Sequence, residues 1–233
     1  MNIESKISGA LIQKPIVFKL NGKRYEVYPF SLGKMQVLGW YMAELDLTGI
    51  DYAPYETLYR ICQTRKGDVC KIISICTMND KGSLIDDSVI AKRAERFEKA
   101  GIEDLATCLA LIFSMPTPDM FFAHFGIDKD IRDKEEVNRI KSSKGTVVFG
   151  GKSIWGALLD TACAKYGWSI EYILWDISYM NLQMMITDSL SSVYLTDDEQ
   201  KKIGTLPSEY ADDPENAAKI INRFNKLTHG GNN

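Results

Sequence analysis

Apolar positions recur at alternating steps of four and three along Trp168, Tyr172, Trp175, Tyr179, Leu182 and Ile186, which places them on one helical face. Ile173, Ile177, Met180 and Met184 form a second apolar row beside the first, so a helix here needs covering from more than one side. Glu171, Asp176, Asn181 and Asp188 interrupt the rows too often for a lipid-spanning segment. Just upstream, Ser153 is predicted to cap a helix ending at Tyr166, with Trp155, Leu158, Leu159, Ala162 and Tyr166 inward. Gly167 closes that helix, and Ser169 caps the next at once.

The N-terminal pattern is different. Residues 1–14 read as a loose polar arm. Ile16–Leu20 and Lys23–Tyr28 flank Asn21-Gly22, a pair that favours the positive φ angles of a type I′ turn, and so predict a hairpin. Phe18, Leu20, Tyr25 and Val27 supply its apolar face. Ser31 is the expected cap of a helix to about Asp46, with Met35, Leu38, Met42 and Leu45 inward. Pro54 opens a helix carrying Leu58, Ile61 and Cys62, which Lys66-Gly67-Asp68 interrupts before Val69, Ile72, Ile73 and Cys76.

Residues 79–83 read as a loop. Asp86 or Asp87 then caps a charged helix, 88–99, closed by Gly101. An apolar, buried helix over 102–114 stops at Met115-Pro116-Thr117-Pro118, and Thr117 caps a short successor. Residues 128–144 carry both charge signs, as a solvated helix or a connector, and 145–151 form a short glycine-bounded strand. Leu195–Glu199 and Asp213-Pro214-Glu215 are further helix starts. The sum is a mainly α (α+β) fold, helical bundle-like with a small N-terminal β-hairpin. Its expected parts are a hairpin-plus-helices domain over 1–127, a charged and Gly-rich connector over 128–150, and a C-terminal helical subdomain over 151–233.

Composition narrows the class. The 233 residues are 45% hydrophobic with a net charge of -3, and no concentrated basic face offers itself to nucleic acid. The first fifteen residues lack the apolar core of a secretory signal, and no run looks long and clean enough to cross a membrane. Five cysteines, without C-x-x-C pairs, suit a reducing compartment. A soluble intracellular protein is expected.

Candidate chemistry is sparse. Thr146–Ser153 ends in Gly-Lys-Ser but has threonine where a phosphate loop needs its first glycine, so a strand, a turn and a cap explain it better. Cys62, Cys70, Cys76, Cys108 and Cys163 sit in apolar helical context without zinc-ligand spacing, as buried inert thiols. His124 stands among Phe121, Phe122 and Phe125, a setting for packing rather than base catalysis, and His229 lies in a tail. Asp86-Asp87, Asp197–Glu199 and Asp212-Asp213 fall at helix starts, where carboxylates are favoured without a metal. Trp155, Trp168, Trp175, Tyr172 and Tyr179 are read first as core, with a partner groove or a self-association face as the alternative. Met180, Met184 and Met185 add flexible apolar volume on the same helix. No catalytic, cofactor-binding or metal-ligating residue is assigned, no cofactor is implied, and no enzymatic activity is expected.

Two stretches together resemble tail assembly chaperone-like proteins of tailed bacteriophages and prophages. One is IVFKLNGKRYEVYPFSLGKMQVLGWYMAELD, a hairpin carrying Asn21-Gly22 followed directly by a helix. The other is SIWGALLDTACAKYGWSIEYILWDISYMNLQMMITDS, a helix, then Tyr166-Gly167-Trp168-Ser169, then an aromatic and Met-rich helix. The resemblance implies a non-enzymatic factor of the host cytoplasm that keeps apolar tape-measure helices soluble until tail-tube subunits polymerise around them. Its implied partners are therefore the tape-measure and tail-tube proteins. A structural tail adaptor or connector, retained in the virion, is the alternative.

Overall fold

The computed structural model describes residues 3–142, 152–189, 193–196 and 199. The strand expected at 145–151 and the helix expected from Asp213 lie outside them. The fold is mainly α with one two-stranded antiparallel sheet, as the sequence pattern predicts.

β1 (Ile16–Leu20) pairs with β2 (Lys23–Val27) in the register Phe18↔Tyr25 and Leu20↔Lys23, leaving a two-residue loop. Asn21 and Gly22 take φ of 50° and 72°, the paired positive values that a type I′ turn requires. Phe18, Leu20 and Val27 are buried, and Tyr25 stacks on Phe18 and meets Phe97 at a tilt, with centroids 5.7 and 5.0 Å away.

The largest apolar cluster of the first unit is built around α4 (Lys66–Cys76). Val69, Cys70, Ile72, Ile73, Ile75 and Cys76 are all buried, so the helix is covered on nearly every side. It is enclosed by α2 (Leu32–Met42), α3 (Pro54–Thr64), α6 (Asp87–Ala94) and α7 (Ile102–Phe113). The buried hydroxyls of the helix and its C-cap bond to its own backbone: Ser74 Oγ donates to Cys70 O and Thr77 Oγ1 to Ile73 O. Pro54 is the first-turn proline of α3, and Ser31 and Asp86 are the caps of α2 and α6. Short α5 (Lys81–Leu84), capped by Asp80, replaces the expected loop. Gly101 precedes α7 with φ -66° and is its N-cap, not the closing residue of a helix running to 99.

Ile102–Phe125 has the length and apolarity of a bilayer-crossing helix, against the expectation that no run does. It is not one rod: α7 ends at Phe113, and α8 (Pro118–Phe125) begins only after Pro116 and Thr117. Leu105, Ala106, Cys108, Leu109 and Ile112 of α7 face the α4 cluster.

Two further corrections concern the ends of the described chain. Residues 3–11 are a helix, α1 (Ile3–Leu11), rather than a loose arm. Ile7 and Ala10 pack with Phe121 of α8 and Met180, which gives the short helix the tertiary support that its length demands. The aromatic stretch is also not one helix. After α10 (Ile154–Tyr166) it divides into α11 (Ile170–Trp175) and α12 (Tyr179–Thr187).

The break has a tertiary cause. Ser178 forms an antiparallel bridge with Ser31, and the Tyr179 amide donates to Phe30 O at 2.7 Å. Ser31 caps α2 through Lys34 N, while Ser178 caps α12 through Asn181 N at 3.2 Å, so two helices start from one paired point. Ser178→Ala removes an almost fully buried cap and is expected to cost about 1 kcal/mol. A urea midpoint equal to the parent's would contradict that role.

The chain forms two compact units, one containing residues up to 128 together with 152–189, the other 129–142 with 193–196 and 199. The expected division into 1–127 and 151–233 therefore does not separate α10–α12 from the N-terminal helices. Leu32 of α2 is part of the same cluster as Leu158, Ala162, Ile173, Ile177 and Leu182, which ties them together. In the second unit, α9 (Ile127–Ser142) buries Val137. There Thr196 N and Oγ1 donate to Glu199 Oε2 at 2.7 and 2.9 Å, and the Lys141 ammonium lies 3.6 Å from that oxygen.

Candidate functional site

Three features of the first unit could meet a ligand or partner. The first is aromatic. Gly167, with φ 67°, turns the chain from α10 into α11 and brings Tyr166, Trp168 and Tyr172 into a ladder. Centroids are 4.7 Å apart for Tyr166–Trp168 and 5.2 Å for Trp168–Tyr172. The Tyr166 hydroxyl donates to Met185 O at 2.6 Å, joining the ladder to α12. Tyr172, Ile170 and Met185 are exposed, while Tyr166 and Trp168 are only partly covered.

The aromatic residues are thus core only in part. Trp175 packs against the α4 cluster and Tyr179 against that of α10–α12, whereas Trp155 is 44% exposed. Met180 is core, Met184 is partly buried and Met185 faces outward.

The second feature is a groove of about 690 Å³ between α1 and the α7–α8 turn, lined by Ala10, Ile12, Pro15, Ile16, Met115 and Pro116 among others. It is open and mostly apolar, with Ser5, Ser8 and Ser114 interspersed. Lys6 and Lys14 supply its charged groups.

The third is centred on Lys34, which sequence spacing does not find. The expected inner face of α2 begins at Met35, yet Met35 is exposed and Lys34 is 3% exposed. Its ammonium donates to Cys76 O at 2.8 Å, at the C-terminal end of α4, and to Asn79 Oδ1 at 3.0 Å. It lies 5.2 Å from the Phe30 ring centroid. A cation at a helix C-terminus meets favourable backbone charge, but burial still pulls this ammonium down to about 8. No pattern of apolar periodicity marks such a residue, because its long stem packs like a hydrophobe while its head bonds to backbone.

Lys34 and Asn79 line a recess of about 310 Å³ together with Tyr28, Trp175 and Asp176. On the other side of Asn79 lies a second recess of about 490 Å³, faced by Lys92, Arg93 and Arg96.

The residues weighed for chemistry fall into place individually. Burial pushes the Cys62 and Cys76 thiols up to about 12 and those of Cys70 and Cys108 to about 11, so all four stay protonated and unreactive at neutral pH. His124 is exposed and edge-on to Phe125 at 5.0 Å. Asp86 accepts from Ser88 N and Val89 N as a cap, and Ser153 caps α10 through Gly156 N. Asp197-Asp198, Asp212-Asp213, His229 and the Thr146–Gly151 part of the loop lie outside the described residues. Among the described residues, no group of three His, Cys, Asp or Glu could hold a metal ion. Comparison of the chain with family models, curated proteins and solved structures finds no match in any of the three.

Proposed function

We propose that this chain is a binding protein of the tail assembly chaperone type, which shelters apolar helices of a tape-measure protein during phage tail assembly in the host cytoplasm. The observation that carries the reading is the partly exposed Tyr166–Trp168–Tyr172 ladder, joined to Met185 through the Tyr166 hydroxyl. Aromatic side chains contribute large contact area at low entropic cost, and an adaptable thioether lets one surface accept helices of differing sequence. An amphipathic helix laid along such a ridge would bury its apolar face against rings already held in place by α10 and α12. The hairpin followed directly by a helix, and the helix–turn–aromatic order, are the features on which the resemblance to chaperone-like proteins rests.

Co-expression with the cognate tape-measure protein should keep that protein soluble, and the two should co-purify. Tyr172→Ala, at an exposed ring, is expected to weaken the complex by about 2 kcal/mol while leaving the thermal unfolding of the free chain nearly unchanged. Loss of neither solubility nor binding on co-expression with the variant would remove the ladder from the interface. Failure of the parent both to solubilise and to co-purify would remove the function. Mass spectrometry of finished virions separates this role from that of a retained tail adaptor, since a chaperone is absent from the particle.

A further inference from the structure

The recess between the end of α4 and the last turn of α6 carries charge that the protein leaves unbalanced. Lys92, Arg93 and Arg96 face it, and among the described residues none of the three pairs with a carboxylate. Its one acidic lining residue, Asp80, already accepts from Ser83 N at 2.8 Å and Ser83 Oγ at 3.0 Å as the cap of α5. Lys34 adds a fourth cation behind the wall, joined to it through Asn79.

Arg93 is the centre of this cluster. Its Nη2 donates to Thr77 O and Thr77 Oγ1, both at 3.1 Å, which fixes the guanidinium in place. Its Nε is buried with no acceptor, an arrangement that costs free energy unless something compensates. Burial first, and then the neighbouring Arg96, lower the Arg93 pKa, so its charge is held at a cost beside a second guanidinium. The α6 dipole favours basic residues in its last turn, which accounts for Lys92 or Arg93 singly. It does not account for three cations on one concave surface whose single carboxylate, Asp80, pairs with none of them.

We propose that this recess binds a small molecule carrying a phosphate or pyrophosphate group. A tetrahedral oxyanion matches the planar fork of arginine and can be held by two guanidinium groups and an ammonium at once. The space of about 490 Å³ admits the anion with a compact organic remainder. Nucleic acid is disfavoured as the source of the phosphate, because the cations converge on one hollow instead of tracking along a face.

Titration calorimetry on the full chain, with inorganic phosphate and pyrophosphate as probes and sodium chloride at matched ionic strength as control, tests this. Saturable binding is expected for pyrophosphate, weaker binding for phosphate, and none for chloride. Arg96 is exposed, so Arg96→Gln should fold normally and bind pyrophosphate at least about tenfold more weakly. Arg93→Lys, which keeps the charge and loses the fork, should also weaken binding. Absence of saturable pyrophosphate binding, or an Arg96→Gln affinity equal to the parent's, overturns the proposal. So does saturable binding of a short single-stranded oligonucleotide without binding of pyrophosphate.

Discussion

Gly33→Ala is expected to cost about 3 kcal/mol, the upper part of the range for overpacked sites. A Cβ at this position would stand 2.8 Å from Leu174 O and 2.8 Å from Cζ3 of Trp175. Neither neighbour is the free end of a flexible chain: one is backbone at the end of α11, the other an indole wedged against the α4 cluster. The close approach of α2 and α11 therefore depends on the missing side chain. At Gly39, further along the same helix, a Cβ would meet nothing within 4 Å, so Gly39→Ala should instead stabilise by about 0.5–1 kcal/mol through helix propensity alone. Opposite signs for the same change in one helix make a sharp test in urea unfolding. Equal effects would mean that α11 does not rest on Gly33.

The second large effect is a pH dependence. The Lys34 ammonium falls from 10.5 to about 8 on folding, chiefly through burial. A base whose folded pKa is depressed carries its charge at a cost below that pKa. As pH rises from 8 towards 10.5 the folded protein gives up the proton while the unfolded chain still holds it, so this residue's contribution to stability increases. The buried thiols act oppositely. Cys62, Cys70, Cys76 and Cys108 keep their protons in the folded state after the unfolded chain releases them near 9, so they erode stability above that pH.

Subtracting Lys34→Met from the parent cancels Cys62, Cys70 and Cys108 and leaves the amine together with its coupling to the Cys76 thiol, which stays protonated to about 12. The parent should gain on the variant by about 2 kcal/mol between about pH 7 and 9.5. At neutral pH the two should lie close together, because the variant sheds a buried charge but leaves Cys76 O and Asn79 Oδ1 without their donor. A flat difference across that interval would show that the amine is hydrated in the folded protein.

What the sequence conveyed about this fold was mostly local. Asn21-Gly22 forced the hairpin, and Ser31, Ser153 and Ser169 with Gly167 marked helix ends, because each acts through bonds to residues a few positions away. Expectation and structure part where a distant partner decides the outcome. The four-three spacing from Trp168 to Ile186 is continuous in sequence, yet Phe30 and Ser31 claim the backbone at Ser178 and Tyr179 and end one helix there. The polar Ile3–Leu11 segment is helical because Phe121 and Met180 cover it. Likewise, α4 became the centre because its neighbours bury all its sides, which erases the periodicity that marks a one-sided helix. Of the candidate sites, the aromatic ladder was legible as a run of rings, though not its exposure. Lys34 and the basic recess were not legible at all, since Lys34, Asn79, Arg93 and Arg96 meet only after α2, α4 and α6 have packed.

The Ser31–Ser178 bridge joins positions far apart along the chain, and the Asn181 amide donates to Leu11 O across a separation of 170 residues. During translation, α1 through α8 leave the ribosome well before the segment that covers Leu32, Ile7 and Phe121 has been synthesised. At the roughly 5–20 residues per second typical of synthesis, those apolar side chains stay uncovered for several seconds. The nascent chain thus has greasy surface of its own in need of shelter before it could offer any to a partner.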